Sequence, residues 1–379
     1  MRRCLRALLC LLPLTIAACR RGAHSRTPDA GGAVVGAALR HQVGVIDWHV
    51  HFEPEAMARA DDLLDAEGIT EVVNLSGGSP GRGLEEQLAA ARTSRHKVHV
   101  FAVLDMREAK RGPGYGARLA AQLEASAKLG AEGWKIPKGL GLGYRRYDGL
   151  LLPVDDPELD VVFDKAGELS LPVAIHVADP KAFWLPPTIV NERYAELGAH
   201  PGWSFYDTEA PPWEELLAQL ERRIARHPRT TFVAVHFGCA PEEPDRVQRM
   251  LETYPNLYID TAARVPEIGR HDPARMRAFF EKFQDRIVFG TDLGVGAAPE
   301  DLMLGSTGPE PPGPAEIRLF FDATWRYFET ADRQFAHPTP IQGSWKIDGI
   351  GLSPAVLRKL YHDNAARLLG TPAAAPEKR

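Results

Sequence analysis

The sequence predicts an α/β fold, a (β/α)8 TIM barrel with long loops after strands four, five and eight. Eight apolar, strand-like runs alternate with amphipathic helical stretches, a pattern that fits a closed parallel barrel better than an open doubly wound sheet. No Gly-x-Gly-x-x-Gly follows the first run, which disfavours the dinucleotide-binding alternative. Metal-binding side chains stand at the downstream ends of four runs, where barrel enzymes place their sites.

The beginning of the chain is expected to lie outside the barrel. Residues 1–19 combine a basic start, a short apolar stretch and small residues before Cys19, which predicts a secretory signal rather than a membrane span. Ile16–Cys19 resembles a bacterial lipobox, which implies a lipid on Cys19 and an exported, membrane-anchored lipoprotein at the cell envelope. An ordinary export signal is the alternative. Residues 20–42 are rich in Gly, Ala, Ser and Arg and predict a flexible tether.

Composition limits what the rest of the chain does. Residues 43–370 are the predicted barrel domain, and 371–379 are a predicted disordered tail. Cys239 would be the one free cysteine after lipidation, so we expect no intramolecular disulfide and stability that comes from packing. The net charge of −5 carries both signs interspersed, which argues against a nucleic-acid partner. The oligomeric state is left open.

The predicted strands are short apolar runs of similar length, and the stretches between them have helical periodicity. The strands are expected at 44–51, 69–75, 98–105, 131–136, 172–177, 231–237, 257–262 and 286–291. The helices are expected near 54–67, 83–95, 115–129, 157–170, 213–227, 242–254, 273–284 and 353–369.

Three insertions carry the extra length, and each follows the carboxyl end of a predicted strand. They span 138–156, 178–212 and 293–352, and the last is expected to contain an inserted helix over 314–331. Loops on this side of a barrel form its site, so we expect these segments to select the substrate.

Five side chains form the candidate metal site. His49 and His51 end the first run, and side chains two residues apart on a strand share a face, so both imidazoles can reach one ion. His176, His236 and Asp292 follow the fifth, sixth and eighth runs. Each alone is as readily a hydrogen-bonded core residue or a cap. Together at one rim they predict a divalent metal, although these residue types do not choose among zinc, manganese, iron and nickel.

This arrangement resembles the amidohydrolase superfamily, and more closely its amidohydrolase-2 branch, which includes the aminocarboxymuconate semialdehyde decarboxylase-like proteins. Beyond the histidines, the resemblance rests on residues 285–292 and 361–369. It implies that Asp292 also shuttles a proton taken from water, and that His236 orients or polarises the substrate or binds a second metal. It further implies four metal ligands: His49, His51, His176 and Asp292.

Lys135 lies on the fourth run, where two-metal members of the superfamily carry a carboxylated lysine between the ions. The resemblance therefore implies two ions if Lys135 is carboxylated, and otherwise one ion, with zinc as the first choice. The alternatives for Lys135 are a positive group for a substrate carboxylate or an internal ion pair, and Lys138 is the fallback candidate.

Three charged residues in the predicted loops are candidates for substrate binding. Arg264 follows the seventh run, Arg145 lies in the strand-four insertion, and Asp179 follows His176. Guanidinium groups bind carboxylates bidentately, which suits an anionic small molecule. A surface ion pair is the alternative for the arginines, and a turn is the alternative for Asp179.

Three functions follow from these observations. The first is a metal-dependent hydrolase that activates water at a divalent ion to cleave a small ester, lactone or amide. The second is a metal-dependent, non-oxidative decarboxylase of an aromatic or unsaturated carboxylic acid, because the branch includes such enzymes. The third is a non-catalytic binding lipoprotein, which the retention of every expected ligand argues against.

Overall fold

The computed structural model describes residues 30–370. The predicted signal with Cys19, the first part of the predicted tether and the predicted tail lie outside the described residues. Within the described residues, no helix combines the length and the hydropathy that crossing a membrane requires.

Eight parallel strands form the barrel wall in chain order, and each overlaps a predicted run. Backbone hydrogen bonds from Trp48 N to Phe289 O (2.8 Å) and from Asp292 N to His49 O (2.9 Å) join the first strand to the last, so the sheet closes. The predicted (β/α)8 barrel is confirmed. The strands are β1 (Val45–Phe52), β2 (Ile69–Asn74), β3 (Lys97–Ala102), β4 (Gly133–Ile136), β5 (Val173–Ile175), β6 (Phe232–Ala234), β7 (Leu257–Asp260) and β8 (Ile287–Val288).

The longer helices between the strands bury one apolar face each, as their periodicity predicts. Every helix expected from the sequence is present, and short ones are added in the insertions. They are α1 (Ala30–Val43), α2 (Met57–Glu67), α3 (Leu84–Ala91), α4 (Tyr115–Leu129), α5 (Asp160–Glu168), α6 (Tyr194–Ala199), α7 (Trp213–Arg226), α8 (Val235–Gly238), α9 (Pro244–Thr253), α10 (Val265–Ile268), α11 (Pro273–Lys282), α12 (Pro314–Glu329), α13 (Pro354–Arg358) and α14 (Asn364–Leu368).

The interior of the barrel is filled by side chains that alternate with those facing the helices. Trp48 and Phe101 meet there edge to face with ring centroids 5.5 Å apart. Ala365 and Ala366 of α14 pack against the same inner cluster and close the amino-terminal end of the barrel, which we call the floor. The opposite, carboxyl-terminal end of the barrel, which we call the mouth, carries polar residues.

A buried histidine lies between two carboxylates near the floor. His99 Nδ1 is 2.6 Å from Glu132 Oε2, and His99 Nε2 is 3.1 Å from Glu71 Oε2. Burial alone would lower the pKa of His99, but the hydrogen bonds to the two carboxylates outweigh burial and raise it above its usual value of 6.5.

The insertion after β8 extends the sheet, which was not expected of a loop. Strand β9 (Leu293–Val295) pairs in parallel with the end of β1, and β10 (Leu302–Leu304) pairs antiparallel with β9. The short pair β11 (Phe335–Ala336) and β12 (Lys346–Ile347) follows the inserted helix α12. These additions hold the insertion over the mouth.

The second part of the predicted tether, residues 30–42, is a helix instead. Three glycines and three valines offset the helix propensity of its four alanines, so the helix depends on packing, and Arg40 joins it to the inserted helix α12. Arg40 forms an ion pair with the buried Glu329 of α12 and lies 4.5 Å from the ring centroid of Trp325. The prediction was wrong here because composition does not reveal a tertiary partner.

Candidate metal centre

Three of the expected ligands meet at the mouth. His49 Nε2 lies 3.2 Å from His51 Nε2 and 3.3 Å from Asp292 Oδ1, and His51 Nε2 lies 3.4 Å from the same carboxylate oxygen. Donor atoms this close to one another can share one ion. The His-x-His spacing thus directs both imidazoles towards the segment after β8.

Asp47 fixes the segment that presents Asp292. Its carboxylate accepts hydrogen bonds from His49 N (3.0 Å), Thr291 N (3.1 Å) and Thr291 Oγ1 (2.6 Å). Gly290 allows the close approach, since a Cβ there would lie 3.0 Å from the Cβ of His49. Asp292 then takes a left-handed conformation with φ 63°, which aspartate tolerates better than most residues.

Asp260, the last residue of β7, connects two histidines. Its Oδ2 lies 2.7 Å from His49 Nδ1, and its Oδ1 accepts a hydrogen bond from His236 N at 2.6 Å. A carboxylate that accepts a hydrogen bond from Nδ1–H of an imidazole fixes the proton there and leaves the Nε2 lone pair for a metal. Burial raises the pKa of Asp260 to about 7, and Lys135 opposes that shift.

His236 lies in a strained turn. Within α8, His236 and Phe237 have φ values of 56° and 57°, and Cys239 follows at 59°. Successive non-glycine residues in this region cost energy and cluster at functional sites. His236 Nδ1 lies 3.0 Å from Ala262 O, and its ring packs 4.8 Å from the ring of His49.

His176 stands beside this cluster rather than within it. Its ring lies 4.3 Å from that of His236, and its Nε2 lies 3.4 Å from Asp179 Oδ1. The contact with Asp179 is loose, and no well-aligned hydrogen bond to His176 Nε2 is present within the described part of the chain. Burial lowers the pKa of His176 to about 4 and that of His51 to about 3, so both imidazoles stay neutral and keep lone pairs for a cation.

Lys135 lies in the same cluster. Its Nζ is 3.5 Å from His49 Nε2, and the carboxylates of Asp260 and Asp292 attract it. Burial lowers the pKa of Lys135 to about 8, which gives it a larger neutral fraction near neutral pH than an exposed lysine has.

A cavity of about 150 Å³ opens beside the cluster, between the insertions after β5 and β8. Asp292 and His236 line its inner end, and Arg264 and Trp203 line its walls. Asp179 also lines it and forms an ion pair with Lys138. Burial alone would raise the pKa of Asp179, but Lys138 and His176 hold it below its usual range.

A wider groove of about 410 Å³ reaches the cluster from the other side. It is lined by His51, Ser76 and residues of β9 and β10. Met303 of β10 lines both the groove and the cavity, so the mouth has two openings that meet near His51 and Asp292.

Arg145 is the one proposed substrate residue that the structure does not bring to the cavity wall. It is partly exposed, its Nη2 pairs with Glu209 at 2.5 Å, and its Nη1 donates to Gly149 O at 2.9 Å. Those local partners hold it at the surface of the strand-four insertion. The surface ion pair considered from the sequence is the arrangement found.

Sequence reasoning missed three residues that support the cluster. Asp47 and Asp260 each stand within an apolar run, where a buried carboxylate needs a partner, and that signal was available. Ser76 Oγ lies 2.7 Å from His51 Nδ1, but a serine after a strand carries no comparable signal.

The donor set suits a divalent cation. Neutral imidazoles and carboxylates converge on one region, and His176 Nε2 lies buried beside them, 3.4 Å from Asp179 Oδ1. A second set of close donor atoms consists of His49, His236 and Asp260.

Comparisons with known proteins agree with this fold. Among solved structures, 2,6-dihydroxybenzoate decarboxylase from Rhizobium is similar at 17% identity and a TM-score of 0.50, covering 86% of this chain and 99% of that one. L-Hydantoinase (dihydropyrimidinase) from Arthrobacter aurescens has 13% identity and a TM-score of 0.47, covering 86% of this chain and 71% of that one. No curated protein matches the sequence significantly. A sequence profile described as amidohydrolase matches residues 46–371. Because this match spans most of the chain and confirms the predicted resemblance, the protein belongs to the amidohydrolase family.

Proposed function

We propose that the protein is a metal-dependent hydrolase that cleaves a small ester, lactone or amide. The observation that carries the proposal is the position of Asp292. Its carboxylate lies within 3.4 Å of two imidazoles and also lines the cavity. Burial raises the pKa of Asp292 to about 6, near the value that suits a group exchanging protons at neutral pH.

His49, His51 and Asp292 would hold the ion, with zinc as the first choice, and the lone pair of His176 is available beside them. A bound divalent ion would lower the pKa of water to about 7 and polarise the scissile carbonyl. Carboxylation of Lys135 would supply a further anionic ligand for a second ion, and His236, whose ring lies 4.8 Å from that of His49, is the histidine next to it.

Asp292 would accept the proton of the attacking water and return it to the leaving group. Contacts with His49 and His51 hold the Asp292 carboxylate in place. Because Asp292 also lines the cavity, its carboxylate can reach a bound substrate. Asp260 would keep the Nε2 lone pair of His49 directed at the cluster.

His236 would accept a hydrogen bond from the substrate or bind a metal ion, in both cases through Nε2. A neutral His236 that donates its Nδ1 proton to Ala262 O carries a lone pair on Nε2. Burial lowers the pKa of His236 well below its usual value, which favours the neutral ring. In this tautomer His236 would orient the substrate or bind a second metal through Nε2, two of the roles that the resemblance implies.

Decarboxylation of a planar acid is the second candidate. Phe183 and Trp203 line the cavity with rings 19° from parallel, and Arg264 adds a positive charge to the same wall. An aromatic or conjugated acid would suit these walls. Release of carbon dioxide, without incorporation of labelled oxygen from water, distinguishes this reaction from hydrolysis.

The test combines metal analysis with one substitution. We expect purified protein to contain about one equivalent of divalent metal, or about two if Lys135 is carboxylated. Asp292→Asn should keep most of the metal but lose 10²- to 10⁴-fold in turnover, because an amide cannot take the proton. Metal-loaded protein is assayed against lactones, amides and carboxylic acids.

Asp322→Asn is the matched control, because Asp322 is exposed on α12 and distant in sequence from the cluster. It should turn over substrate at the normal rate. Full activity in metal-free protein, or normal turnover in Asp292→Asn, would contradict the proposal.

The cell-envelope location is also part of the proposal and rests on Ile16–Cys19.

A further inference from the structure

The insertion after β5 presents an exposed apolar segment, residues 185–190, which we call the tip. Leu185, Ile189 and Val190 are 53%, 79% and 89% exposed, and Pro186 and Pro187 are exposed as well. Single exposed apolar residues are common on protein surfaces, but a group of neighbouring ones marks an interaction site. The tip is therefore a candidate contact surface.

Hydrogen bonds at its base hold the tip in shape. The buried amide of Asn191 donates from Nδ2 to Ala182 O at 2.9 Å and to Pro186 O at 3.1 Å. The backbone N–H of Asn191 donates to Thr188 O at 2.8 Å. These bonds satisfy backbone carbonyls of the tip, so the segment keeps its conformation although its apolar side chains are not packed against the protein.

The surface around the tip carries little free charge. Between residues 182 and 206 the charged side chains of Arg193 and Glu196 are buried. Glu192 is exposed, and both of its carboxylate oxygens accept hydrogen bonds from Arg270, at 2.7 and 3.1 Å. An apolar partner can therefore cover this surface without burying an unpaired charge.

A lipid bilayer suits a tip of this size better than a protein partner does. Protein–protein interfaces use roughly 20–30 residues a side, many more than residues 185–190 supply. A bilayer is fluid and can surround a small protrusion, so it can cover side chains that stand nearly free of the protein. Burial of apolar side chains at the boundary between headgroups and acyl chains is a general way of binding to one face of a membrane.

The sequence before the described residues supports a membrane as the partner. Cys19 is the predicted site of a lipid, and residues 20–29 separate it from Ala30, where α1 begins. Ten residues reach about 35 Å when fully extended. A lipid on Cys19 would keep the barrel this close to the bilayer and raise the effective concentration of the tip there, so that weak insertion is enough to orient the domain.

We propose that the tip inserts into the headgroup region of a lipid bilayer and holds the mouth of the barrel beside the membrane. The same insertion carries Phe183 and Trp203, which line the cavity, so insertion of the tip brings this wall close to the membrane surface. The proposal goes beyond the hydrolase activity and rests on the cell-envelope location proposed above.

The test measures co-sedimentation with vesicles of pure phosphatidylcholine and with vesicles that also contain phosphatidylglycerol. The protein begins at residue 20, so it keeps every described element and carries no acyl chain. We expect it to bind both vesicles, because insertion depends on apolar contact and not on anionic headgroups. Ile189→Ser/Val190→Ser should lose at least about tenfold in partition coefficient. Ile189→Leu/Val190→Leu should bind as the wild type does.

A polarity-sensitive fluorophore attached at Thr188→Cys reports whether the tip itself enters the bilayer. Thr188 is exposed, whereas Cys239, the one other cysteine from residue 20 onwards, is buried and does not take the label. The emission should shift to shorter wavelength when either vesicle is added. The same label at Leu129→Cys, exposed where α4 ends just before β4, should not respond.

Leu129→Ser is the matched control for binding, because it removes an exposed apolar side chain outside the tip. It should co-sediment normally. The melting temperatures of all these variants should match that of the wild type, since the substituted side chains are exposed and unpacked.

Wild-type protein that binds neither vesicle, or only the anionic one, would overturn the proposal. Undiminished binding by Ile189→Ser/Val190→Ser, or a label at Thr188→Cys that does not respond, would overturn it as well. If the wild type binds neither vesicle but forms a dimer that these substitutions dissociate, the tip contacts a second copy of the chain instead.

These measurements need neither metal nor substrate. Failure of the hydrolase proposal would appear separately, as absent metal or as activity that does not need it. Failure of the predicted lipidation would appear as a Cys19 that carries no lipid by mass spectrometry.

Discussion

Single residues at the mouth were predictable where a metal-binding side chain stood at the end of an apolar strand. His49 and His51 were recognisable because two imidazoles end an apolar strand, where unpaired polar groups are unfavourable. Asp260 ends a strand in the same way, yet an aspartate there is equally typical of a turn. The offset of His176 from the cluster could not be predicted, because the loop after β5 determines its partners.

Asp260→Asn tests the supporting carboxylate. His49 Nδ1 and His236 N bond to different oxygens of Asp260, and an asparagine presents an NH2 donor in place of one of them, so it cannot hold both groups and His49 loses its fixed orientation. We expect metal affinity to fall about 10- to 100-fold, measured by competition with a chelator. Asp322→Asn should bind metal normally, and an unchanged affinity in Asp260→Asn would refute this role.

At the scale of elements, the periodicity of apolar residues was sufficient to predict the strands and helices of the barrel. The eight strands and the helices between them were predictable, because burial on one or both faces imposes a pattern on each segment. The strands β9 and β10 were not, since three-residue strands are too short to show a period. The left-handed turn at His236 was also unpredictable, because no glycine marks its first residues.

Helix α1 gives a prediction of its own. Arg40→Ala removes the cation that pairs with Glu329, whose side chain is 2% exposed, and leaves that carboxylate buried. We expect the free energy of unfolding to fall by about 3 kcal/mol in urea titrations. The double variant Arg40→Ala/Glu329→Gln should lose less than the single one. An equal loss in the double variant would show that the unpaired carboxylate is not the cause, and no loss in Arg40→Ala would show that the pair contributes little.

Exposed Arg92 provides the matched control for this experiment. Arg92→Ala should unfold at nearly the same urea concentration as the wild type, because surface substitutions away from special features change stability little.

At the scale of the whole molecule, chemistry and stability are placed at opposite ends of the barrel. The candidate metal centre lies at the mouth, whereas His99 and its two carboxylates lie near the floor. The overall architecture was predictable from the order of runs. The way the last insertion covers the mouth was not, because it depends on contacts between segments distant in sequence.

His99 predicts how the stability of the barrel depends on pH. Its pKa is raised in the folded state, so its stabilisation is fully present below the unfolded value of 6.5 and is lost as pH rises through the folded value. His99→Gln should therefore cost about 2 kcal/mol at pH 6, and the gap to the wild type should narrow towards pH 9.

Urea unfolding of chelator-treated protein from pH 6 to pH 9 measures this gap without a contribution from the metal. His41→Gln on the exposed side of α1 should leave stability nearly unchanged throughout. A gap that stays constant or widens with rising pH would show that His99 is not the protonated partner of the two carboxylates.

Helix α1 also bears on how the protein is best produced in the laboratory. A recombinant version trimmed to residue 43, the boundary that sequence inspection suggests, would discard the guanidinium that neutralises Glu329. Poor yield or aggregation of such a version would reflect the missing segment and not an intrinsically unstable barrel. Clones should retain at least Ala30 onwards.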